Sequence, residues 1–588
     1  MAQKIKRLSP AQNSSLLIPG INPVLNRIYI NRGISSADQL QHVLERLHSY
    51  KALKGIERAV ELLEQALRQQ QSILVIGDFD ADGATSTSVA VRALRQLGAY
   101  SVDYLVPNRF EYGYGLTPEI VEEARRFQPD IIVTVDNGIS SIQGVEAAND
   151  AGIQVIITDH HLAGSQLPLA DAIVNPNQPG DTFPSKALAG VGVIFYVMLA
   201  LRAQLRSADW FQQQRIAEPN LAELLDLVAL GTVADVVPLD YNNRILVAQG
   251  LARIRAGHCC EGIKALVNIA GRQLYRLGAQ DLAFAVGPRL NAAGRLDDMS
   301  LGIECLLASD ANQARQFAEK LNQLNEERKS IELGMKLQAL ESLQLKEEEL
   351  PTGVCVYEED WHQGVIGILA SRIKEKYHRP VIAFADAGVD ADNNEAIIKG
   401  SARSIPGVHI RDVLDSIAAQ HPGLLSKFGG HAMAAGLTLM KKDFQQFAAV
   451  FDQQVKNVVD SDDLQHIIHS DGELRTDDID LPLAQLLESG GPWGQHFPEP
   501  VFDGRFEVVQ RRIVGGRHLK LVLRIPGSDR VIDAIAFNTV DDAWPEGIQF
   551  VEMAYKLAVN EYRGLQSAQL VVDFIEPITE AAPEQAVP

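Results

Sequence analysis

From about residue 55 to 240, short apolar runs alternate with stretches whose apolar residues recur at helical spacing. "GIERAVELLEQALRQQQ" reads as a helix leading into a strand, "ILVIGDF". "TSTSVAVRALRQLG" is helical, "SVDYLVP" extended, and "TPEIVEEARRFQ" a helix capped by Thr117 with Pro118 in its first turn. Strand "DIIVTVD", helix "IQGVEAANDAG" and strand "QVIITD" follow. The strands are short, Val/Ile-rich and almost continuously apolar, as parallel strands covered on both faces are. The alternation predicts an α/β domain with a doubly wound parallel sheet.

Beyond residue 240 the pattern changes twice. Residues 310 to about 346 contain no proline, and Phe317, Leu321, Leu324, Ile331, Met335 and Leu343 keep near-helical spacing, which predicts a long connector helix. "GVCVYE", "GILASRIKEKY", "PVIAFA" and "AIIKGSARS" make a second, smaller α/β unit. "RFEVVQRRIVGGRHLKLVLRIPG" reads as a β-hairpin turning at Gly515-Gly516, and the strands after it suit a small barrel of the OB type. The expected division is an extension at 1–50, the first α/β domain at 51–240, and a helical region with the connector at 241–350. The second α/β domain follows at 351–462, the barrel at 463–578 and a disordered tail at 579–588.

Composition narrows the class. The chain has 588 residues, 46% hydrophobic and 22% charged, which is ordinary for globular domains. Its four cysteines, Cys259, Cys260, Cys305 and Cys355, form no C-x-x-C pair and suit a reducing cytoplasm. The N-terminal residues lack the apolar segment of a signal peptide. The apolar run at 187–201 is too short to span a membrane and reads as a buried core helix. The net charge of -21 argues against a nucleic-acid partner unless basic residues gather in one cleft.

Three strand ends carry the candidate chemistry. The first ends in Asp78, Asp80 and Asp82, the second in Asp136 and Asn137, and the third in Asp159, His160 and His161. In open parallel sheets ligands bind beyond the carboxyl ends of the strands, so all three land on one rim. Asp235, after an apolar helix, can reach the same place. Carboxylates gathered this closely need a cation, and Asp with His but no Cys favours Mn²⁺ or Mg²⁺. Two such ions can activate water and stabilise the leaving oxygen of a phosphoester. Asp78 is either a ligand or a support, and Asp159 suits a helix cap or a carboxylate that orients a histidine.

"GDFDADG", "VDNG", "DHH" and "VADVVPL" together resemble the DHH phosphoesterase superfamily. "GPRLNAAGRLDD", "DWHQGVIGILASRI", "KGSARSI" and "KFGGHAMAAG" resemble the RecJ single-strand-specific exonucleases, the last being similar to the glycine-rich core of a DHHA1 domain. The resemblance runs from about residue 50 to the end of the barrel. It implies a Mn²⁺- or Mg²⁺-dependent 5'→3' exonuclease that degrades single-stranded DNA to nucleoside monophosphates in recombination and repair. It also implies a monomer working with a single-strand-binding protein and a RecQ-type helicase. By the same resemblance Asp80 and Asp136 hold one metal, and Asp82, Asp136, His160 and Asp235 hold the other. His161 faces the scissile phosphate, which with Asp136 and Asp159 gives the catalytic set. Many superfamily members carry a histidine four residues before the second acid of the first motif. Here that place is Ile76, so the first site is expected to be a ligand short and weak, with Asp78 or water as substitute.

For the substrate path, Arg109 follows a strand end, and Arg289, Asn291 and Arg295 precede the connector. Trp361, His362, Ser401, Arg403 and a flexible glycine cradle of Lys427, Gly429, Gly430 and His431 lie in the second unit. Arg511, Arg512 and Lys520 lie among the bases of the barrel. Paired arginines suit phosphate oxygens. Two rivals are a small-substrate phosphodiesterase, against which the barrel and total length argue, and an inactive scaffold, against which the retained acids and histidines argue.

Overall fold

The computed structural model describes residues 4–8, 18–108, 115–344, 350–390, 394–460, 463–537, 539 and 548–578. The chain divides into two compact units. One holds residues 5–294, 298–321 and 469 onward; the other is built mainly from 322–468.

The first unit contains the expected parallel sheet. Its strands are β1 (Ser72–Ile76), β2 (Ser101–Leu105), β3 (Ile131–Val135), β4 (Gln154–Thr158) and β5 (Ala172–Val174), in the order β2-β1-β3-β4-β5, all parallel. The chain leaves β1 for one side and returns on the other, so the switch point lies between β1 and β3. This is the place where such sheets bind ligands. Helix α1 (Ile56–Gln69) buries Ile56, Ala59, Val60, Leu63, Ala66 and Leu67, a single face at helical spacing. Helix α2 (Ala81–Gln96) follows the first acidic motif directly. Helix α3 (Gly190–Ser207) is buried over most of its length, as expected for the apolar run at 187–201. Helix α4 (Leu225–Ala234) is also buried and ends at Asp235. Among the described residues no helix is long and apolar enough to cross a membrane.

The N-terminal extension is tied to the segment that precedes the barrel. In the helix Pro23–Asn31, Tyr29 donates its hydroxyl to Gly490 O, and Arg32 makes two bonds, 2.8 and 3.0 Å, to the Asp471 carboxylate. Both partners of that ion pair are buried, so removing one strands a charge, at a cost of about 3–5 kcal/mol.

The barrel is closed, with strands in the order β11-β12-β13-β15-β14. These are β11 (Phe502–Val514), β12 (His518–Arg524), β13 (Val531–Ala536), β14 (Phe550–Tyr562) and β15 (Leu565–Ile578). Leu519, Leu521 and Leu523 alternate inward. Gly515 and Gly516, at φ of 60° and 71°, supply the left-handed turn expected of the hairpin.

The long helix is Ala311–Gln344, 34 residues. In the second unit the sheet order is β9-β10-β8-β7-β6, from β6 (Val354–Tyr357), β7 (Val381–Val389), β8 (Ala396–Arg403), β9 (Lys427–Gly430) and β10 (Ala434–Met440). Only β6 and β7 are parallel. Alternate β7 residues serve opposite layers. Ile382 and Phe384 join one core, and Val381, Ala383 and Ala385 pack with the helix Ile366–Tyr377.

Candidate active site

The acidic motif after β1 is a helix start as well as a charge cluster. Asp80 caps α2, accepting from the amides of Asp82 (2.9 Å) and Gly83 (3.0 Å). Gly83 is required here, since a Cβ would lie 2.4 Å from Asp78 O. Asp82 is buried and accepts from Gly190 N (2.7 Å) and Val191 N (2.9 Å), the first amides of α3. A helix N-terminus thus offsets part of its charge. Burial, and then the nearby Asp80, still push the Asp82 carboxyl up to about 7.

Asp136 follows β3 with φ of +64°, a conformation Asp tolerates better than most side chains. The turn is fixed by Asn137, whose amide donates to Ile76 O and Val135 O, and by Thr134, whose hydroxyl donates to Asn137 O. The Asp136 carboxylate is buried, with Oδ1 3.2 Å from His160 Nε2. His160 Nε2 is also 3.5 Å from Asp235 Oδ2. Burial, then Asp82 and Asp80, raise the Asp136 carboxyl well above the usual range, and the same causes raise Asp235.

Among the described residues, three triplets of donor atoms, each within 4.8 Å of one another, emerge: Asp78–Asp80–Asp136, Asp82–His160–Asp235 and Asp136–His160–His161. Asp136 belongs to two of them. Hard oxygens with imidazole nitrogen and mutually repelling carboxylates fit Mn²⁺ or Mg²⁺. The expected gap at Ile76 is a different matter. Ile76 is fully buried in an apolar cluster with Leu116, Ile120 and Val145, while Asp78 joins the triplet. The site therefore offers a third carboxylate where a ligand was expected to be missing.

Asp159 is fully buried and accepts from the amides of Ile139, His160 and His161 and from His161 Nδ1 at 2.7 Å. With a carboxylate on Nδ1, that nitrogen carries the proton. Burial pulls the His161 imidazole down, but the Asp159 hydrogen bond and charge outweigh it, leaving it raised to about 9. Asp159 is thus an orienting carboxylate that holds His161 but is not itself a member of the triplets found among the described residues.

Sequence reasoning missed what holds these acids in place. A Cβ on Gly190 would lie 2.5 Å from Asp136 Oδ1 and 2.7 Å from its Cγ, and a Cβ on Gly231 would lie 2.9 Å from Asp82 Oδ1. Only glycine admits α3 and α4 so close to the carboxylates; the run "AGVG" was the available signal. The loop after Asp235 is strapped from afar, with Leu239 N donating to Gln495 O at 2.8 Å.

Three family models cover most of the chain: the DHH family N-terminal domain at 72–232, the DHHA1 domain at 351–457 and the RecJ OB domain at 470–573. A single-stranded-DNA-specific exonuclease RecJ from Dickeya dadantii is 54% identical over 94% of this chain and 96% of its own length. The chain belongs to the RecJ family. The crystal structure of RecJ from Thermus thermophilus in complex with Mn²⁺ superposes with a TM-score of 0.79 at 30% identity, covering 98% of this chain and 80% of that one. Its Mg²⁺ complex gives 0.73 at 28%, covering 98% and 78%.

The residues expected on a RecJ substrate path fare unevenly. Arg109 lies outside the described residues. Asn291 accepts from Ala81 N at 2.7 Å, so it anchors the acidic loop. Arg289 donates to Ala285 O, and Arg295 to Gly364 O. His362 Nδ1 accepts from Gly364 N. Trp361 is a correction. It is 4% exposed, its indole N–H bonds Gln338 Oε1, and it packs in a core with Met335 and Leu369, so no base can stack on it. The glycine segment Lys427–Gly430 is a hydrogen-bonded strand, β9, beside β10, rather than a flexible loop. Lys427 and Gly429 are exposed on it and His431 just after it, with open space above Gly429 and Gly436. Arg403 donates to Ser401 Oγ, and a Cβ on Gly367 would meet both side chains. In the barrel Arg511 and Arg512 are exposed, whereas Lys520 is paired with Asp533 at 2.8 Å.

Proposed function

We propose that this protein degrades single-stranded DNA in the 5'→3' direction, releasing nucleoside monophosphates, with two Mn²⁺ or Mg²⁺ ions. The observation that carries the reading is the membership of Asp136 in two donor triplets, one with Asp78 and Asp80 and one with the histidines. Asp78, Asp80 and Asp136 would hold one ion, and Asp82, Asp136, His160 and Asp235 the other. When bound, such ions supply Lewis acidity to a water and to the phosphate under attack. The remaining work falls to the chain itself. Asp159 fixes the His161 ring, which would then hydrogen-bond an oxygen of the phosphate under attack. The exposed lysines, arginines and glycines of β9, β10 and the barrel suit a phosphate backbone, which answers the objection raised by the acidic net charge.

Action in recombination and repair, a single-strand-binding protein and a RecQ-type helicase as partners, a monomeric state and a cytoplasmic location follow from the family resemblance. The test is digestion of single strands labelled at either end, beside duplex and dinucleotide. Early release of the 5' label as a mononucleotide, with duplex spared, is expected. Preferential hydrolysis of the dinucleotide, or release from the 3' end, would overturn the reading.

A further inference from the structure

Beyond the metal centre, two unusual backbone features meet in one cleft. Val236, directly after Asp235, has φ of +60°, a costly conformation for a β-branched residue, and its side chain is 60% exposed. Phe284 lies on a π-helical turn, Leu282–Val286, and is 77% exposed. That turn runs straight into the helix Gly287–Leu296, whose Asn291 anchors the acidic loop. π-turns and strained residues gather at functional sites. Val236 and Phe284 line the same cleft of about 370 Å³, with Val237, Gln280 and Gln495. This is the size class of a site for one small ligand.

The chemistry of the cleft selects its occupant. Its ammonium, on Lys556, lies 2.9 Å from Glu499 Oε2 and 3.9 Å from Asp573 Oδ2, so one cation sits between two carboxylates and the floor disfavours a phosphate. An aromatic ring, aliphatic walls and two side-chain amides suit a planar, uncharged, hydrogen-bonding ring. The cleft continues into a second of about 530 Å³ that shares Gln280, Trp493 and Lys556 and runs along Leu557–Val559 of β14. It therefore links the loop bearing a metal ligand to the barrel.

We propose that this cleft is a nucleobase subsite, in which Phe284 stacks one unpaired base of the strand. The inference rests on the functional reading above and deepens it. Stacking on a phenyl ring is tolerant of sequence, as a general exonuclease requires. A base within a duplex must first be unpaired and unstacked at a free-energy cost, so the subsite adds selectivity for single strands.

The experiment combines Phe284→Ala with abasic substitution. Oligonucleotides carrying one abasic site at successive positions from the 5' end are titrated, in EDTA, against the full-length wild type, Phe284→Ala and Phe284→Trp. In the wild type one position weakens binding about 5- to 150-fold. Phe284→Ala shows that loss on intact DNA and no further loss at that abasic position, and Phe284→Trp binds as the wild type does. Mn²⁺ affinity, measured without DNA, is unchanged in all three. An abasic penalty equal in wild type and Phe284→Ala at every position, or full affinity of Phe284→Ala for intact DNA, overturns the subsite. If the wild type digests single strands normally while either result holds, the functional reading stands and the subsite alone falls.

Discussion

The acidic rim of the first domain and the basic residues of the barrel look alike in sequence, as clusters of one charge, but the fold treats them differently. The acids are driven together. Asp78, Asp82 and Asp136 are buried, and burial with mutual repulsion raises the Asp82 and Asp136 carboxyls. Several basic residues of the barrel are instead taken up locally. Lys520 pairs with Asp533, Arg524 with Glu507, and Arg505 lies over the Phe550 ring at 4.6 Å. Like charges buried against one another signal a cluster built to hold a counter-ion. Like charges on a surface signal little until their partners are known.

The largest test of this contrast is Asp136→Ala. It removes a donor from two triplets, and kcat should fall on the order of 10³-fold or more while the fold, read by circular dichroism, is kept. Substantial turnover at saturating Mn²⁺ would remove Asp136 from its central role. Gly190→Ala changes no ligand residue but drives a methyl against Asp136. Roughly 10²-fold loss of kcat is expected from displacement of that carboxylate, with thermal stability reported alongside. Asp159→Asn removes no member of a triplet, yet it should cost about 10- to 100-fold, because His161 loses its orienting carboxylate. The same change should bring the His161 titration down from about 9, a shift that histidine NMR resolves.

The smallest effects belong to the barrel. Arg511→Ala with Arg512→Ala should raise KM on long single strands, leave kcat nearly unchanged and flatten the log–log salt slope by roughly 0.7 per lost contact. Lys520→Ala should add little, since its charge is already paired with Asp533. An equal loss on long and very short oligonucleotides would mean that these arginines support the fold.

The sheet, the long helix and the barrel were legible because each rests on a local period: continuous apolar strands, unbroken helical spacing, and alternation with a Gly-Gly turn. The acids and histidines were legible because burying them demands a reason. What escaped was long-range. Gly190 and Gly231 bear on carboxylates supplied by distant segments, and the Leu239–Gln495 hydrogen bond links residues no local pattern connects. Trp361 misled for a related reason, since a Trp beside a His and glycines reads as a binding surface until its packing partners on the long helix are known.

The central claim is that this cluster of acids is built for divalent cations, and calorimetric titration of the metal-free protein with Mn²⁺ tests it most directly. Near pH 7 the Asp82 carboxyl, raised to about 7, is partly protonated, and burial with mutual repulsion shifts Asp136 and Asp235 in the same direction, so a bound ion must displace protons. Binding should therefore release protons, seen as a dependence of the heat on buffer ionisation enthalpy, and affinity should strengthen as pH rises from about 6 to 8. Binding without proton release and with no change across that range would contradict the account.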